Sequence, residues 1–193
     1  MSSEPHPAQL GRISWEFGTR QVVYSAIGAA LYGVLNWVFN SLALPGSTLV
    51  SFRPSVAVPF FMGIVFGPWV GVFTGGVGNV LGDALSGFGF FWGWDVGNGL
   101  LGFIPGLLIS NAGTAGASSP RVISIVLTVA VASCIGLAFP ALIVDPFILR
   151  NIDLRGGFAT EWLPATISDT LNGAILTPGL LSSWNAYQRR TGR

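Results

Sequence analysis

Long apolar segments separated by short polar or Gly/Pro-rich connections dominate the sequence. We distinguish six of them, at residues 22–44, 54–67, 68–87, 93–110, 121–147 and 163–184. A membrane-spanning helix needs about 20 predominantly apolar residues. The second and fourth segments are shorter and are interrupted by Gly and Pro, but the others reach this length. The pattern therefore predicts an all-α membrane protein, a bundle of six transmembrane helices.

The composition agrees with this pattern. Hydrophobic residues make up 51% of the chain and charged residues 9%, and the mean hydropathy is +0.65. A soluble domain carries about a quarter charged residues, so this composition excludes a soluble enzyme and implies a surface that faces the lipid bilayer. The net charge of +1 argues against nucleic-acid binding, which requires a basic stripe. No polar linker divides the segments, and we expect a single transmembrane domain over residues 1–193.

The arginines predict how this bundle lies in the membrane. With the N-terminus inside, the inner side holds Arg12, Arg20, Arg121, Arg189, Arg190 and Arg193. The outer side then holds Arg53, Arg150 and Arg155. This excess on the inner side obeys the positive-inside rule. We therefore expect both termini in the cytoplasm, with residues 1–20 as a polar cytoplasmic N-terminal segment.

The outer connections are longer and more varied than the inner ones. Outside, they cover residues 43–53, an aromatic stretch that ends at Asp95, and residues 145–163. Inside, the connections are a tight turn at Gly67-Pro68 and a small-residue loop at 111–120. A receptor for an extracellular solute would have its structural complexity on the outer side, as this chain does.

Polar residues inside the apolar segments are the first candidates for function. Asn79 and Asp83 are four residues apart and so share a helix face, and Asp95 and Asn98 are three apart. The last segment and its approach contain Glu161, Asp169 and Asn172. Such residues are costly in hydrocarbon and should face protein or a water-filled cavity. For Asp95 and Asp169, a structural role in helix capping or interhelical hydrogen bonding is as good an interpretation as a functional one.

An aromatic run next to Asp95 is the second candidate. It consists of Phe88, Phe90, Phe91, Trp92 and Trp94. An interfacial aromatic belt is the simpler interpretation, but this run is Gly-spaced and leads directly into Asp95 and Asn98. Aromatic faces beside a few directional polar groups suit a flat, partly polar small molecule. Arg53 could pair with Asp95, bind an anionic group, or simply anchor the helix at the interface.

The candidate solute site therefore consists of Arg53, Asn79, Asp83, Trp92, Trp94, Asp95, Asn98, Glu161 and Asn172. We find no catalytic constellation and no phosphate-binding GxxxxGK[ST] pattern. No metal site and no cofactor are expected, and the chain is not expected to be an enzyme.

Small residues line one side of the first segment. Ser25, Ala29 and Gly33 recur at four-residue spacing, and Ala26 and Ala30 flank them. Such a face lets another helix come close. It could pack within this chain's own bundle, or it could dock a separate membrane subunit.

Several of these stretches together resemble a known family. They are AIGAA at 26–30, the block from Arg53 to Gly87 that contains FGPWVG and GNVLGD, FFWGWDVGNGLLGFIPG at 90–106, and a last helix with Asn172 and Pro178. The chain resembles the substrate-binding S component of an energy-coupling factor (ECF) transporter for vitamins and other micronutrients. The resemblance implies six helices in a prokaryotic cell membrane, cytoplasmic termini, an outward-facing pocket and no catalysis in this subunit.

The resemblance also implies partners. These are a vitamin-like solute, a membrane scaffold subunit that contacts Ala26 and Ala30, and two ATP-binding subunits that supply energy. Two alternatives from other classes stay open at this point. One is a stand-alone carrier that couples to protons through Asp83 or Asp169, and the other is a non-transport accessory subunit of a membrane complex.

Overall fold

The computed structural model describes residues 18–45, 47, 50–109 and 119–191. Over these residues the chain forms six α-helices of ten residues or more. They are α1 (Thr19–Phe39), α2 (Ala57–Phe66, preceded by the 3₁₀ turn Pro54–Val56), α3 (Pro68–Ser86), α4 (Trp92–Leu108), α5 (Ser119–Ala138) and α6 (Leu163–Thr191). Residues 111–118 of the predicted inner loop, Arg12, Arg193 and most of the polar N-terminal segment lie outside the described residues, and α5 begins at Ser119.

Helix boundaries follow local sequence signals closely. Pro68 begins α3 directly after Gly67, where its fixed φ and missing N–H are tolerated. Gly87 ends α3 in the left-handed conformation, with φ of 73°. The six predicted segments and the six α-helices also agree in number and order.

The connection between α5 and α6 differs from the prediction. We expected an outer segment over residues 145–163, but α5 continues as a π-helical stretch, Phe139–Leu149. The chain turns at Arg150, which has a positive φ of 55°. It then resumes helical structure in Leu154–Gly156 and the π-helical Gly157–Trp162, which leads into α6. The non-helical part of this connection is therefore only 150–153.

Glycines let α3 lie in backbone contact with its neighbours. A Cβ atom on Gly71 or on Gly102 would meet the backbone of the other residue, which joins α3 to α4. Two turns further along α3, a Cβ atom on Gly78 would lie 2.7 Å from the Tyr32 ring of α1. The helix α3 is thus held between α1 and α4, and the polar residues of all three come together.

The core and the exterior are both apolar. Side chains of α2, α4, α5 and α6 form the main core, which includes Phe60, Leu101, Val129, Leu137 and Ala165. Large apolar side chains are also exposed on the outside of the bundle, up to 72% for Ile175. By length and composition, Thr19–Phe39 and Arg121–Leu149 could each cross a membrane, and Pro54–Phe66 is a shorter apolar helix. The structure is all-helical in its described part, and the count of six spans stays a prediction.

Candidate functional site

A cavity of about 460 Å³ opens at the end of the bundle where the α1–α2 and α3–α4 connections meet. Its volume lies within the usual range of small-molecule sites, about 300–1,000 Å³. It is lined by Asn40, Ala43, Val50, Ser51, Arg53, Asn79, Asp83, Gly87, Phe88, Phe91 and Trp94. These residues form a polar wall, an aromatic wall and a cover.

The polar wall is a row of amides and carboxylates between α1, α3 and α4. Asn79 donates through Nδ2 to Asp83 at 3.0 Å and to Asp95 at 2.9 Å. It accepts from Asn36 Nδ2 at 3.2 Å. Asn40 donates to the other oxygen of Asp83 at 3.4 Å. The four-residue spacing of Asn79 and Asp83 in α3 therefore matches that of Asn36 in α1 and Asn40 directly after it.

Arg53 also lines the cavity, directly before the 3₁₀ turn that leads into α2, and its side chain is 7% exposed. Its Nη2 donates to Asp169 Oδ2 of α6 at 3.1 Å, in an ion pair whose carboxylate is fully buried. Its Nη1 lies 3.5 Å from Asn98 Oδ1 of α4. The predicted pairing of Arg53 with Asp95 is wrong, because Asp95 accepts from Asn79 and the guanidinium reaches α6 instead. Asp95 accepts from Asn79 of α3 and Asp169 accepts from Arg53, so both carboxylates make hydrogen bonds between separate elements.

The aromatic wall comes from the α3–α4 connection and the first turn of α4. Gly87 and Gly89 have positive φ angles of 73° and 91°, which turn the chain so that Phe88 and Phe91 reach the cavity. Trp94 lies beside them and donates through Nε1 to Asp145 Oδ2 of the π-helical stretch after α5, at 2.9 Å. This hydrogen bond fixes the orientation of the indole ring.

The α1–α2 connection covers the cavity. Leu44 N donates to Val50 O at 2.9 Å and Phe52 N donates to Leu42 O at 2.7 Å, which fold the segment back on itself. An isolated antiparallel bridge pairs Ala43 with Ser51. Ala43, Val50 and Ser51 thereby line the cavity.

The comparison with known families bears on this geometry. The sequence model of the family "ECF-type riboflavin transporter, S component" matches residues 16–189, nearly the whole chain. The chain belongs to this family. The resemblance found in the sequence is thus confirmed, and an S component is a membrane protein, as the composition predicted.

Curated relatives of this S component have less informative names. Two proteins called UPF0397 protein, from Streptococcus pneumoniae strains Hungary19A-6 and CGSP14, are each 35% identical to it over 92 residues. The match covers 48% of this chain and 49% of each relative. The chain therefore matches about half the length of these curated relatives.

The nine predicted site residues fall into three groups in this S component. Arg53, Asn79, Asp83 and Trp94 line the cavity. Asp95 and Asn98 lie directly behind it and contact lining residues. Asp95 accepts a hydrogen bond from Asn79. Asn98 accepts one from Tyr32 at 2.7 Å and lies next to Arg53. The remaining three are Trp92, Glu161 and Asn172.

These three residues do not line the cavity. Trp92 packs edge-on against Phe139 at 6.2 Å between ring centroids. Asn172 donates to the backbone of Ser168, one turn earlier in α6, at 2.9 Å. Glu161 is buried in the π-helical approach to α6. Among the residues that the structure describes, no group of three or more His, Cys, Asp or Glu side chains could hold a metal ion.

Sequence reasoning missed Asn40 and Ser51, both of which line the cavity. Asn40 had a usable signal, because its four-residue spacing from Asn36 repeats that of Asn79 and Asp83. Ser51 had none. It reaches the cavity through the bridge to Ala43, and its hydroxyl donates to Asn40 O at 3.0 Å.

The small residues of α1 divide between two faces. Ser25, Ala29 and Gly33 are buried, and a Cβ atom on Gly33 would lie 2.8 Å from Leu81 of α3. That row therefore packs within the chain's own bundle. Ala26 and Ala30 point away from the bundle and are exposed.

Proposed function

We propose that this chain is the high-affinity binding subunit for uptake of a vitamin-like small molecule, and that separate ATPase subunits of an ECF transporter supply the energy. The observation that carries the proposal is the cavity, whose lining combines three aromatic side chains with two amides and the carboxylate of Asp83. Such a site grips a flat ring by its faces and orients it by its polar groups. In this proposal the subunit binds its solute and catalyses no reaction.

The proposed arrangement in the membrane has six spans, both termini in the cytoplasm, and one domain over residues 1–193. Two observations support it. The inner ends of the described helices carry Arg20, Arg121, Arg189 and Arg190, in agreement with the positive-inside rule. The cavity lies at the opposite end, where it would open to the outside of a prokaryotic cell.

The proposed partners are a membrane scaffold subunit and two ATP-binding subunits. Exposure of Ala26 and Ala30 supports a docking face on α1. Small side chains there would let a helix of the scaffold approach closely, and close approach is what stabilises helix association in lipid.

Riboflavin is the first ligand to test, because the family description names it and its ring system is flat and aromatic. The decisive measurement is native mass spectrometry of the purified chain, in which we expect a retained small molecule. Riboflavin binding is then measured by quenching of tryptophan fluorescence. Proton-dependent uptake into liposomes by this chain alone would contradict the need for ATP-binding subunits.

A matched pair of variants tests the cavity itself. Phe91→Ala removes a ring that lines it, and loss of a stacked ring costs about 1–3 kcal/mol, or about 5- to 150-fold in affinity. Phe90→Ala removes a more exposed ring, 71% exposed, from the same connection, and Phe90 is not among the lining residues. We expect weaker binding in the first variant only. Equal affinity in both would reject the cavity as the binding site.

A further inference from the structure

The lining of the cavity has few hydrogen-bond donors left for a ligand. Asn79 uses both Nδ2 hydrogens on Asp83 and Asp95. Asn40 uses its own on Asp83 and Ser86. A hydrogen on a planar amide makes one good hydrogen bond. The two amides that line the cavity are therefore fully engaged as donors by the protein.

The other uncharged donors of the lining are also engaged. The Ser51 hydroxyl donates to Asn40 O at 3.0 Å, and the Trp94 indole donates to Asp145 at 2.9 Å. Among the lining side chains that the structure describes, only Arg53 retains donor capacity, since its buried Nε has no partner. That Nε is enclosed by protein atoms, so it offers no donor to a ligand in the cavity.

Acceptors are in the opposite situation. Each carboxylate oxygen of Asp83 accepts one hydrogen bond from an amide, Oδ1 from Asn40 and Oδ2 from Asn79. A carboxylate has about four lone-pair positions, so Asp83 can accept further hydrogen bonds from a ligand. It is the only acidic side chain among the lining residues that the structure describes.

The charges around the cavity lead to the same result. The guanidinium of Arg53 is already paired with the fully buried Asp169. Asp83 and Asp95 have amide partners in this network and no basic one. A phosphate or carboxylate on the ligand would need a free cation, preferably a bidentate Arg. In this cavity it would instead meet the carboxylate of Asp83.

We propose that the cavity selects its ligand by charge: Asp83 accepts an N–H or O–H donor from a flat neutral or cationic heterocycle, and anionic derivatives are excluded. This inference rests on the proposed function, because it presumes that the cavity binds the transported solute. It predicts that a phosphate ester of the solute binds far more weakly than the free form.

Two pairs of probes test the inference on the purified wild-type chain. The first is riboflavin with riboflavin 5′-phosphate, and the second is thiamine with thiamine monophosphate. Because like charges brought together cost several kcal/mol, the phosphate should weaken binding on the order of 100-fold. Equal or tighter binding of a phosphate form overturns the inference. This comparison needs no variant and so does not depend on how a variant folds.

Asp83→Asn shows whether this residue sets the preference. It keeps the shape of the side chain and removes the charge, so we expect the affinity ratio within the pair that binds to fall by about tenfold or more. Asp153→Asn is the matched control, since it removes one acidic charge at an exposed position in the α5–α6 connection. The control should keep the wild-type ratio. An unchanged ratio in Asp83→Asn overturns the assignment to Asp83.

The molecule retained in native mass spectrometry separates this inference from the proposed function. A retained neutral or cationic heterocycle supports both. A retained phosphate ester or carboxylate supports solute binding and overturns charge selection. If no molecule is retained and none of the four probes binds, the proposed function fails and the inference fails with it.

Discussion

Arg53 connects three parts of the bundle through one side chain. It precedes α2, pairs with Asp169 of α6 at 3.1 Å, and lies 3.5 Å from Asn98 of α4. Arg53→Met would leave the carboxylate of Asp169 buried without its counter-charge. Removing one partner of a buried ion pair costs about 3–5 kcal/mol, so we expect the free energy of unfolding in mixed micelles to fall by that amount.

A double-mutant cycle shows whether this loss belongs to the ion pair. Arg53→Met/Asp169→Leu removes both charges and should be clearly more stable than the sum of the two single changes implies. Arg155→Met is the control, because Arg155 is exposed on the same side of the molecule. It should change stability by less than about 1 kcal/mol. Strictly additive effects at Arg53 and Asp169 would show that the pair contributes no coupling.

Individual polar residues could be selected from the sequence, but their partners could not. Asn79 and Asp83 share a helix face at a spacing that any α-helix imposes, and both line the cavity. Arg53 and Asp169 are 116 residues apart, and their contact depends on how α6 packs against the start of α2. Asp95 is closer to Arg53 in the sequence than Asp169 is. In the fold, however, the carboxylate of Asp95 accepts a hydrogen bond from Asn79.

At the scale of whole helices, the contact between α3 and α4 depends on glycines. Gly71→Ala would place a methyl group against the backbone of Gly102, where no side chain can move aside. Overpacking of this kind typically costs about 1–3 kcal/mol. We expect Gly71→Ala to lower the temperature of unfolding in detergent, measured by circular dichroism, and to weaken solute binding because α3 carries Asn79 and Asp83.

Gly179→Ala provides the matched control within α6. A Cβ atom there would meet nothing within 4 Å, and the residue is exposed. Since Ala restricts the unfolded chain more than Gly does, this change should be neutral or stabilising by about 0.4–1 kcal/mol. If both substitutions had the same effect, close backbone approach would not be the reason for glycine at position 71.

Whole helices were more predictable than their connections. Pro68 and Gly87 mark the ends of α3 in the sequence, and the structure uses both. The length of the α5–α6 connection was overestimated, because an outer segment was predicted over residues 145–163. Proline inside an α-helix removes the hydrogen bond to the residue four positions earlier. In Phe139–Leu149 the turns are wider and π-helical, and the helix continues past Pro146 to Leu149.

The exterior of the whole molecule contains a face that its own bundle does not use. Ala26 and Ala30 are exposed on α1, while Ser25 and Ala29 of the same helix pack inside. If a scaffold subunit docks there, Ala26→Trp should abolish co-purification with the scaffold and the ATP-binding subunits, because an indole holds the two helices apart. Solute binding by the isolated chain should stay unchanged, since the cavity lies elsewhere.

Ile175→Trp is the control for this experiment. Ile175 is 72% exposed on α6, and it tests whether any added bulk on the apolar surface disturbs assembly. Normal assembly of Ala26→Trp would reject docking at this face. Loss of assembly in both variants would mean that the effect is not specific to α1.

The polarity of the whole bundle is tested with single cysteines in a Cys134→Ala background, since Cys134 is the chain's one cysteine. Asp153 lies in the α5–α6 connection and Thr191 at the end of α6, and both are exposed. If both termini are cytoplasmic, a membrane-impermeant maleimide should label Asp153→Cys in spheroplasts, and Thr191→Cys only after permeabilisation. The cysteine-free chain should stay unlabelled throughout. Labelling of Thr191→Cys before permeabilisation would contradict the arrangement, because the cavity would then open to the cytoplasm.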